Sequence, residues 1–402
     1  MYFDTNKKND CSGCTACMNV CPTSSIIMQE DEEGFLYPRI DKETCINCNL
    51  CRKVCSWDKP CYDNSRDPKV LAAVLKDKSE RQRSTSGGIF YAIAEWIISK
   101  GGIVYGAAFD ENLQLKHFGA NNMEEVQKIR GSKYLQSQLG SVFKDVKSEL
   151  ELGRWCYFTG TGCQIAGLKA YLRKDYPTLI TSDLVCHGVP SQKHFNEHIS
   201  YMEKRYHDKV INYQFRDYKR GEGCEACYFL KRKPVINRSY DISPYLYAFM
   251  YGFINRYSCY NCRYAIVPRQ GDITLADYWG VDVFLPDFDN SCGCSLILLN
   301  TEKGKSIWQQ IKEKCDYTVS VIADAAQFNG NLIRTSEEPE IRKTIFEKIR
   351  KRGYADVARK EFRSPNYYRL KIYYFMLQLG IVKKMRPALR PVYHLVHLIV
   401  RK

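Results

Sequence analysis

Residues 11–22 read CSGCTACMNVCP, and residues 45–55 read CINCNLCRKVC. Both fit C-x2-C-x2-C-x3-C, the run that ligates 4Fe-4S clusters. The spacing has a physical reason: three sulfurs on one tight loop can each reach a different iron of a cube. The fourth cysteine lies on the segment that follows and ligates the other cluster. By that rule Cys11, Cys14, Cys17 and Cys55 hold one cluster, and Cys45, Cys48, Cys51 and Cys21 hold a second. Zinc sites usually draw their ligands from separated CxxC pairs, so two copies of this dense run argue for iron and sulfide.

Between the runs, residues 26–41 (IIMQEDEEGFLYPRID) read as a strand, a turn and a strand, like the insert of a two-cluster ferredoxin fold. Residues 1–62 therefore form a first, ferredoxin-like domain. The first run ends in the expected Pro22, whereas the second has Ser56 in that place, and Cys61 is a spare thiol.

The chain has 402 residues, enough for two or three domains with a substantial core. Nineteen cysteines in a chain of this size, with no apolar signal stretch in MYFDTNKKND, point to metal binding in a reducing cytoplasm and not to disulfides. The longest apolar run, GGIFYAIAEWIISKGG, is broken by Glu95 and Lys100, which argues against a membrane span. The formal charge of +15 is spread along the chain and no nucleic-acid-binding pattern accompanies it, so nucleic acid is not the expected partner. A basic surface suits an acidic substrate or an acidic redox protein such as a ferredoxin.

From about residue 68 to 335 short apolar runs alternate with amphipathic stretches. VLAAVL, GIVYGAAF, RWCYFTG and TLITSDLVC read as strands; GGIFYAIAEWIIS, GCQIAGLKAYLRK and SQKHFNEHISYMEKRY read as helices. That order defines a mixed α/β domain, and the whole chain is α+β in class. In such sheets ligands gather where strand ends meet helix N-termini. Three loops stand at such places: STSGG (84–88), FTGTGCQ (158–164) and DLVCHGVPS (183–191). The first two could cradle the pyrophosphate of a flavin on helix N-termini, and their glycines read equally as ordinary turn residues. Neither GxGxxG nor a Walker loop is present.

A second kind of cysteine pair appears in SCYNC (258–262), where Cys259 and Cys262 stand without close neighbours. Two sulfurs complete neither a tetrahedral site nor a cubane. Cys224 and Cys227 (GEGCEACYF) read as a pair in a hairpin or exposed loop, a resting dithiol or an accidental pair and not a ligand set. Cys292 and Cys294 read as loop and core residues, and Cys156 and Cys315 as buried apolar cysteines.

The stretches STSGGIFYAIA, RGSKYLQS, FTGTGCQIAGLK, DLVCHGVPS and SCYNCRYA…RQGDITLADYWG, with the two cysteine runs, span most of residues 10–300. They resemble the coenzyme F420 hydrogenase/dehydrogenase beta-subunit family, in its version with an N-terminal two-cluster ferredoxin domain. The resemblance implies a flavoprotein that binds FAD beside a further 4Fe-4S cluster. It supplies the partners of SCYNC: Cys163 and Cys186 would join Cys259 and Cys262 as four thiolates, with a zinc site on the same ligands as the rival reading. Carried over residue by residue, it also implies FAD contacts at Ser86, Gly87, Gly88, Lys133 and Thr161. Gly162 departs from the proline common in the family's GTPCQ. His187 reads as a proton donor or a hydrogen bonder behind a cluster ligand, and Asp272 and Asp277 equally as turn and cap residues.

Clusters move single electrons and hydride chemistry moves two, and flavin converts between them. The resemblance therefore implies an FAD- and 4Fe-4S-dependent oxidoreductase acting on a deazaflavin or another two-electron small molecule. The alternative is a non-catalytic electron-transfer subunit serving a partner enzyme, for example in surface-polysaccharide synthesis. Residues 336–402 form a basic helical region: EIRKTIFEKIRKRGYADVARKEF is a charged amphipathic helix, and NYYRLKIYYFMLQLGIVKKMRPALRPVYHLVHLIVRK is basic and aromatic. Such a region can touch an anionic membrane surface or pack on the main domain.

Overall fold

The cysteine-rich N-terminus is too short to bury a core of its own, and in the computed structural model, which describes residues 1–217, 225–289 and 291–378, it packs on a much larger sheet. The insert between the cysteine runs is the expected antiparallel hairpin, β1 (Ile26–Glu30) with β2 (Leu36–Ile40), turning at Gly34 with φ +86°.

Among the described residues the main sheet has eight strands. They are β3 (Lys69–Leu75), β4 (Ile103–Phe109), β5 (Leu115–Ala120), β6 (Cys156–Thr161), β7 (Leu179–Leu184) and three later ones. A small three-stranded sheet, β8 (Val210–Gln214), β9 (Glu225–Phe229) and β10 (Val235–Asn237), intervenes before β11 (Ile273–Asp277), β12 (Ser295–Leu299) and β13 (Cys315–Ser320). The main order is β13-β3-β12-β11-β7-β6-β4-β5. The centre, β11-β7-β6-β4, is parallel, and the flanking pairs are antiparallel. The run VLAAVL is apolar throughout because β3 is buried on both faces.

One face of the sheet is covered by helices Ile89–Ser99, Met123–Ile129 and Glu302–Ile311. The other carries helices Val142–Glu151 and Gly162–Leu172, and Ala16 and Val54 of the ferredoxin unit join that core directly. The mixed α/β body with a ferredoxin-like N-terminus is the fold class expected from the sequence.

One expectation changes. The amphipathic stretch after Pro339 is two helices, Arg342–Arg352 and Tyr354–Lys360, broken at Gly353 with φ +80°. They pack on the main domain, one of the two readings of this region. Ile345, Phe346, Ile349, Tyr354 and Val357 share one aromatic core with Phe35 and Tyr37 of the hairpin and Phe195 and Tyr245 of the main domain. Cys227 stands on β9, which forms an antiparallel hairpin with β10, the first of the two readings for this pair, and it is buried there among apolar neighbours; Cys224 lies outside the described residues. So do residues 379–402, which include most of the basic aromatic stretch. Among the described residues no helix is long and apolar enough to cross a membrane.

A buried ion pair fastens the C-terminal helices to the N-terminal hairpin. Arg342 reaches Glu33 bidentately, Nη2–Oε2 2.6 Å and Nη1–Oε1 3.1 Å, and donates from Nε to Asn255 O at 2.9 Å. Its guanidinium also lies 4.0 Å over the Tyr257 ring. Removing one partner of such a pair strands the other charge in low dielectric. R342A should therefore lower stability by about 3–5 kcal/mol, read from anaerobic denaturant melts monitored at the hairpin by hydrogen exchange.

Three buried histidines have the opposite pH signature to a salt-bridged one. Burial pushes His117 down to about 4 and His194 and His198 to about 3, so all three are neutral in the fold. His198 accepts from Tyr354 O–H at Nδ1 (3.0 Å) and donates from Nε2 to Tyr213 (3.2 Å), whose own hydroxyl is given to buried Glu225. With folded pKa values below the unfolded value near 6.5, their stabilisation is complete above that pH and is lost as the pH falls toward 4 and then 3. Thermal melts from about pH 7.5 to 5.5 should show a falling midpoint, and H198Q should flatten that slope.

Candidate electron-transfer site

The site is built on the carboxyl ends of the parallel strands. β6 and β7 are adjacent and in register, with Thr161 opposite Leu184. Cys163 and Cys186 each lie two residues beyond that matched pair, so the two loops are side by side. Thr161 is the N-cap of helix Gly162–Leu172, and its own N–H is satisfied by Gln164 Oε1 at 2.9 Å, as a capping box requires. The Thr161 hydroxyl lies 3.1 Å from Cys163 Sγ.

The second half of the site arrives from residues 256–262. Arg256, fully buried, donates from Nε to Cys11 O (2.8 Å), from Nη2 to Leu36 O (3.0 Å) and from Nη1 to Gln136 Oε1 (3.2 Å). It also lies 4.1 Å over the Tyr37 ring. That clamp holds the short 3-10 turn Tyr257–Asn261, on which Cys259 stands, with Cys262 at its end. Further along, Arg269 pairs with Asp183 (2.7 Å), and Asp183 also accepts from Thr274 Oγ1 at 2.7 Å, fastening this segment to the end of β7.

The four thiols converge. Burial pushes Cys186 up to about 11 and raises Cys163, Cys259 and Cys262 as well. The charges of Cys186, Cys262 and Cys163 add to the rise at Cys259, and those of Cys262, Cys186 and Cys14 to the rise at Cys163. Among the described residues no three or more His, Cys, Asp or Glu side chains are gathered closely enough for a single metal ion.

The ferredoxin thiols lie close enough to act on one another's charge. Burial raises Cys17 well above the usual thiol range, followed by the charges of Cys14, Cys11, Cys55 and Cys51; burial raises Cys55 to about 11, with Cys14 and Cys11 contributing. Of the second group, Cys51 is raised by burial and by the charge of Cys48, which is exposed, while Cys45 and Cys21 lie beside Asn47 and Thr23. The first group abuts the main-domain thiols: Cys55, Cys163 and Cys262 pack together around Trp57, Ala166 and Tyr264.

Beside Cys186 a cavity of about 590 Å³ opens at the strand ends. Ser86, Gly88, Lys133 and Thr161 line it, as do Cys186 and His187. Gly88 has φ +92° and caps helix Ile89–Ser99 with no side-chain hydrogen bond, which leaves that helix N-terminus open toward the cavity. Gly87 lies behind the wall, where a Cβ would come within 2.2 Å of Ala73 O, so it is bare for close packing on β3. Lys133 is held by the carbonyls of Lys128, Ile129 and Arg130 (3.1, 2.5 and 2.8 Å), and burial lowers it to about 7. His187 binds Met250 O through Nε2 at 2.9 Å. Asp272 is structural, accepting from Thr181 N and Thr301 Oγ1 at 2.9 and 2.8 Å; Asp277 lines the cavity and pairs with Arg216.

His117 and Ser137 were not visible as site residues in the sequence. Both line the cavity. Because Thr159 O can only accept, His117 Nε2 donates to it (3.0 Å), and Nδ1 accepts from Ser137 Oγ (2.8 Å). Gln164 Nε2 donates to the same hydroxyl at 2.9 Å, which ties this wall to the helix of Cys163. A lone histidine on a short strand carries no motif that could have flagged it.

Grouped thiols beside a cofactor-sized cavity define an iron–sulfur subunit of oxidoreductase type. Residues 153–325 match the C-terminal part of the coenzyme F420 hydrogenase/dehydrogenase beta subunit, and residues 10–59 match a 4Fe-4S dicluster domain. The chain is thus similar in its body to the F420 hydrogenase/dehydrogenase beta subunit and at its N-terminus to dicluster ferredoxins. An uncharacterized protein of Methanocaldococcus jannaschii is 29% identical over 43% of this chain and 55% of its own length. The B subunit of the anaerobic dimethyl sulfoxide reductase of Haemophilus influenzae is 38% identical over 15% of this chain and 28% of its own. The chain thus spans about half, or less, of these two relatives. An uncharacterized ferredoxin of M. jannaschii is 40% identical over 19% of this chain and 90% of its own. A polypeptide from the F420-reducing [NiFe] hydrogenase complex of Methanosarcina barkeri is 19% identical, with a TM-score of 0.46 over 72% of this chain and 96% of its own.

Proposed function

We propose that the chain is an iron–sulfur flavoprotein oxidoreductase that passes electrons between 4Fe-4S clusters and a two-electron small molecule, with a deazaflavin as the leading substrate class. The observation that carries this reading is the position of Cys186. It belongs to the four-thiol group and also lines the cavity, while Cys163 of the same group faces the ferredoxin thiols through Cys14.

In this reading Cys45, Cys48, Cys51 and Cys21 hold an outer cluster and Cys11, Cys14, Cys17 and Cys55 an inner one. Cys163, Cys186, Cys259 and Cys262 hold a third. The cavity would take FAD: its volume falls in the range of cofactor sites, and the open helix N-terminus at Gly88 suits a pyrophosphate. Bound flavin would supply exchange between one-electron and two-electron chemistry. Ser86, Gly88 and Thr161 would bind and orient it, with Gly87 letting their loop lie flat on the sheet. Lys133, pinned to three carbonyls, would present at the cavity wall a positive charge that is lost as the pH rises through about 7. The hydroxyl of Thr161, beside Cys163 Sγ, would donate to the thiolate.

Anaerobically reconstituted protein should contain about twelve irons per chain and bound FAD. Eight irons without flavin would sink the third cluster and the flavin together. C259S should lose about four of the twelve irons and leave the ferredoxin pair intact; retention of all the iron would reject the ligand set. Reduction of a deazaflavin by dithionite-poised protein alone would separate a catalytic subunit from a relay that serves a partner enzyme.

A further inference from the structure

We propose that Gly167 sets the spacing between the inner ferredoxin cluster and the main-domain cluster, and through that spacing the rate at which electrons cross between the two domains. The proposal rests on the cluster assignments above and adds a positioning residue that binds no iron.

Gly167 lies inside helix Gly162–Leu172, where glycine weakens a helix relative to alanine. Its backbone does not ask for glycine, since it is absent from the residues with positive φ. What asks for it is space: a Cβ there would come 2.8 Å from Cys14 Cβ and 2.9 Å from Cys14 Sγ. Both atoms belong to an expected cluster ligand on a loop held from behind by Arg256 and Asn19, so they cannot swing aside as a flexible side chain would. Asn19 Nδ2 donates to Thr15 O (3.1 Å) and to Gly140 O (2.9 Å), and Arg256 holds Cys11 O.

The placement along the helix matters as much as the contact. Cys163 and Gly167 are four residues apart, so they share one face, about 6 Å apart along the axis at 1.5 Å per residue. One turn of that face carries a main-domain thiol, and the next offers bare backbone on which a ferredoxin thiol rests. Tyr264 fills the remaining gap, edge-on to Trp57 at 5.9 Å and within reach of the charges of Cys14, Cys163 and Cys262. The transfer itself is simple: one electron leaves a reduced cluster and enters its oxidised neighbour, and no bond is made or broken. Its rate falls steeply with separation, so a methyl group that pushes the loop off the helix would act on the rate without touching a ligand.

The test is electron paramagnetic resonance of the full-length, reconstituted chain, reduced stepwise with dithionite, for wild type and G167A at equal iron and flavin content. Wild type should show spin–spin broadening between the inner and main-domain clusters. G167A should lose part of that broadening and reduce its flavin more slowly from the ferredoxin side, with all the iron retained. Unchanged broadening and unchanged flavin reduction in fully loaded G167A would overturn the proposal. If G167A does not fold, W57F loosens the same seam more mildly: reduced broadening supports the proposal, and unchanged broadening overturns it. The cluster reading fails separately, through a wild-type inventory of eight irons. Twelve irons with no broadening in wild type would reject only the role of Gly167.

Discussion

The buried guanidinium of Arg256 is the constraint on which the arrangement depends. It sits between a carbonyl of the first cysteine run, a carbonyl of the hairpin and a side chain of the main domain, and it stands three residues before Cys259. A buried charge of this kind is costly unless every donor is used. Here the donors are spent on both domains at once, so satisfying the guanidinium and docking the ferredoxin unit are the same event. The neighbouring Glu33–Arg342 pair works in the same way from the other side of the hairpin. The two domains therefore meet in one geometry, and the thiols on either side of the seam inherit it.

Parallel pairing does the rest. β6 and β7 run in register, so residues at equal distance past their ends fall next to each other. Two cysteines that are 23 positions apart in the chain become neighbours without any local motif between them. The same strand ends open the cavity, because loops leaving parallel strands diverge toward helices on opposite faces. A thiol group and a cofactor-sized space thus share a wall at Cys186, and the ferredoxin unit covers the other side through the helix that carries Cys163 in its first turn.

The parts that were legible in the sequence are those where chemistry is encoded at short range. The two C-x2-C-x2-C-x3-C runs, the hairpin between them and the alternation of strands and helices all depend on neighbours within a few residues. The isolated Cys259 and Cys262 were legible only through resemblance, since their partners lie far off in the chain. His117, Ser137 and Gly167 were not legible at all. Each matters because of what lies across a seam or a wall from it. The two helices after Pro339 read as one in the sequence, because charge periodicity runs through Gly353 without a break and only its positive φ turns the chain.

By itself the sequence determined that iron–sulfur ligands fill the N-terminus and that an α/β body follows, because cysteine spacing and hydrophobic period are local properties. Only the tertiary structure decided which distant thiols face one another, which glycine lies bare against a cysteine, and that the C-terminal helices close the aromatic core. Those are matters of register, buried charge and close packing, and they come into existence only when strands pair and domains dock.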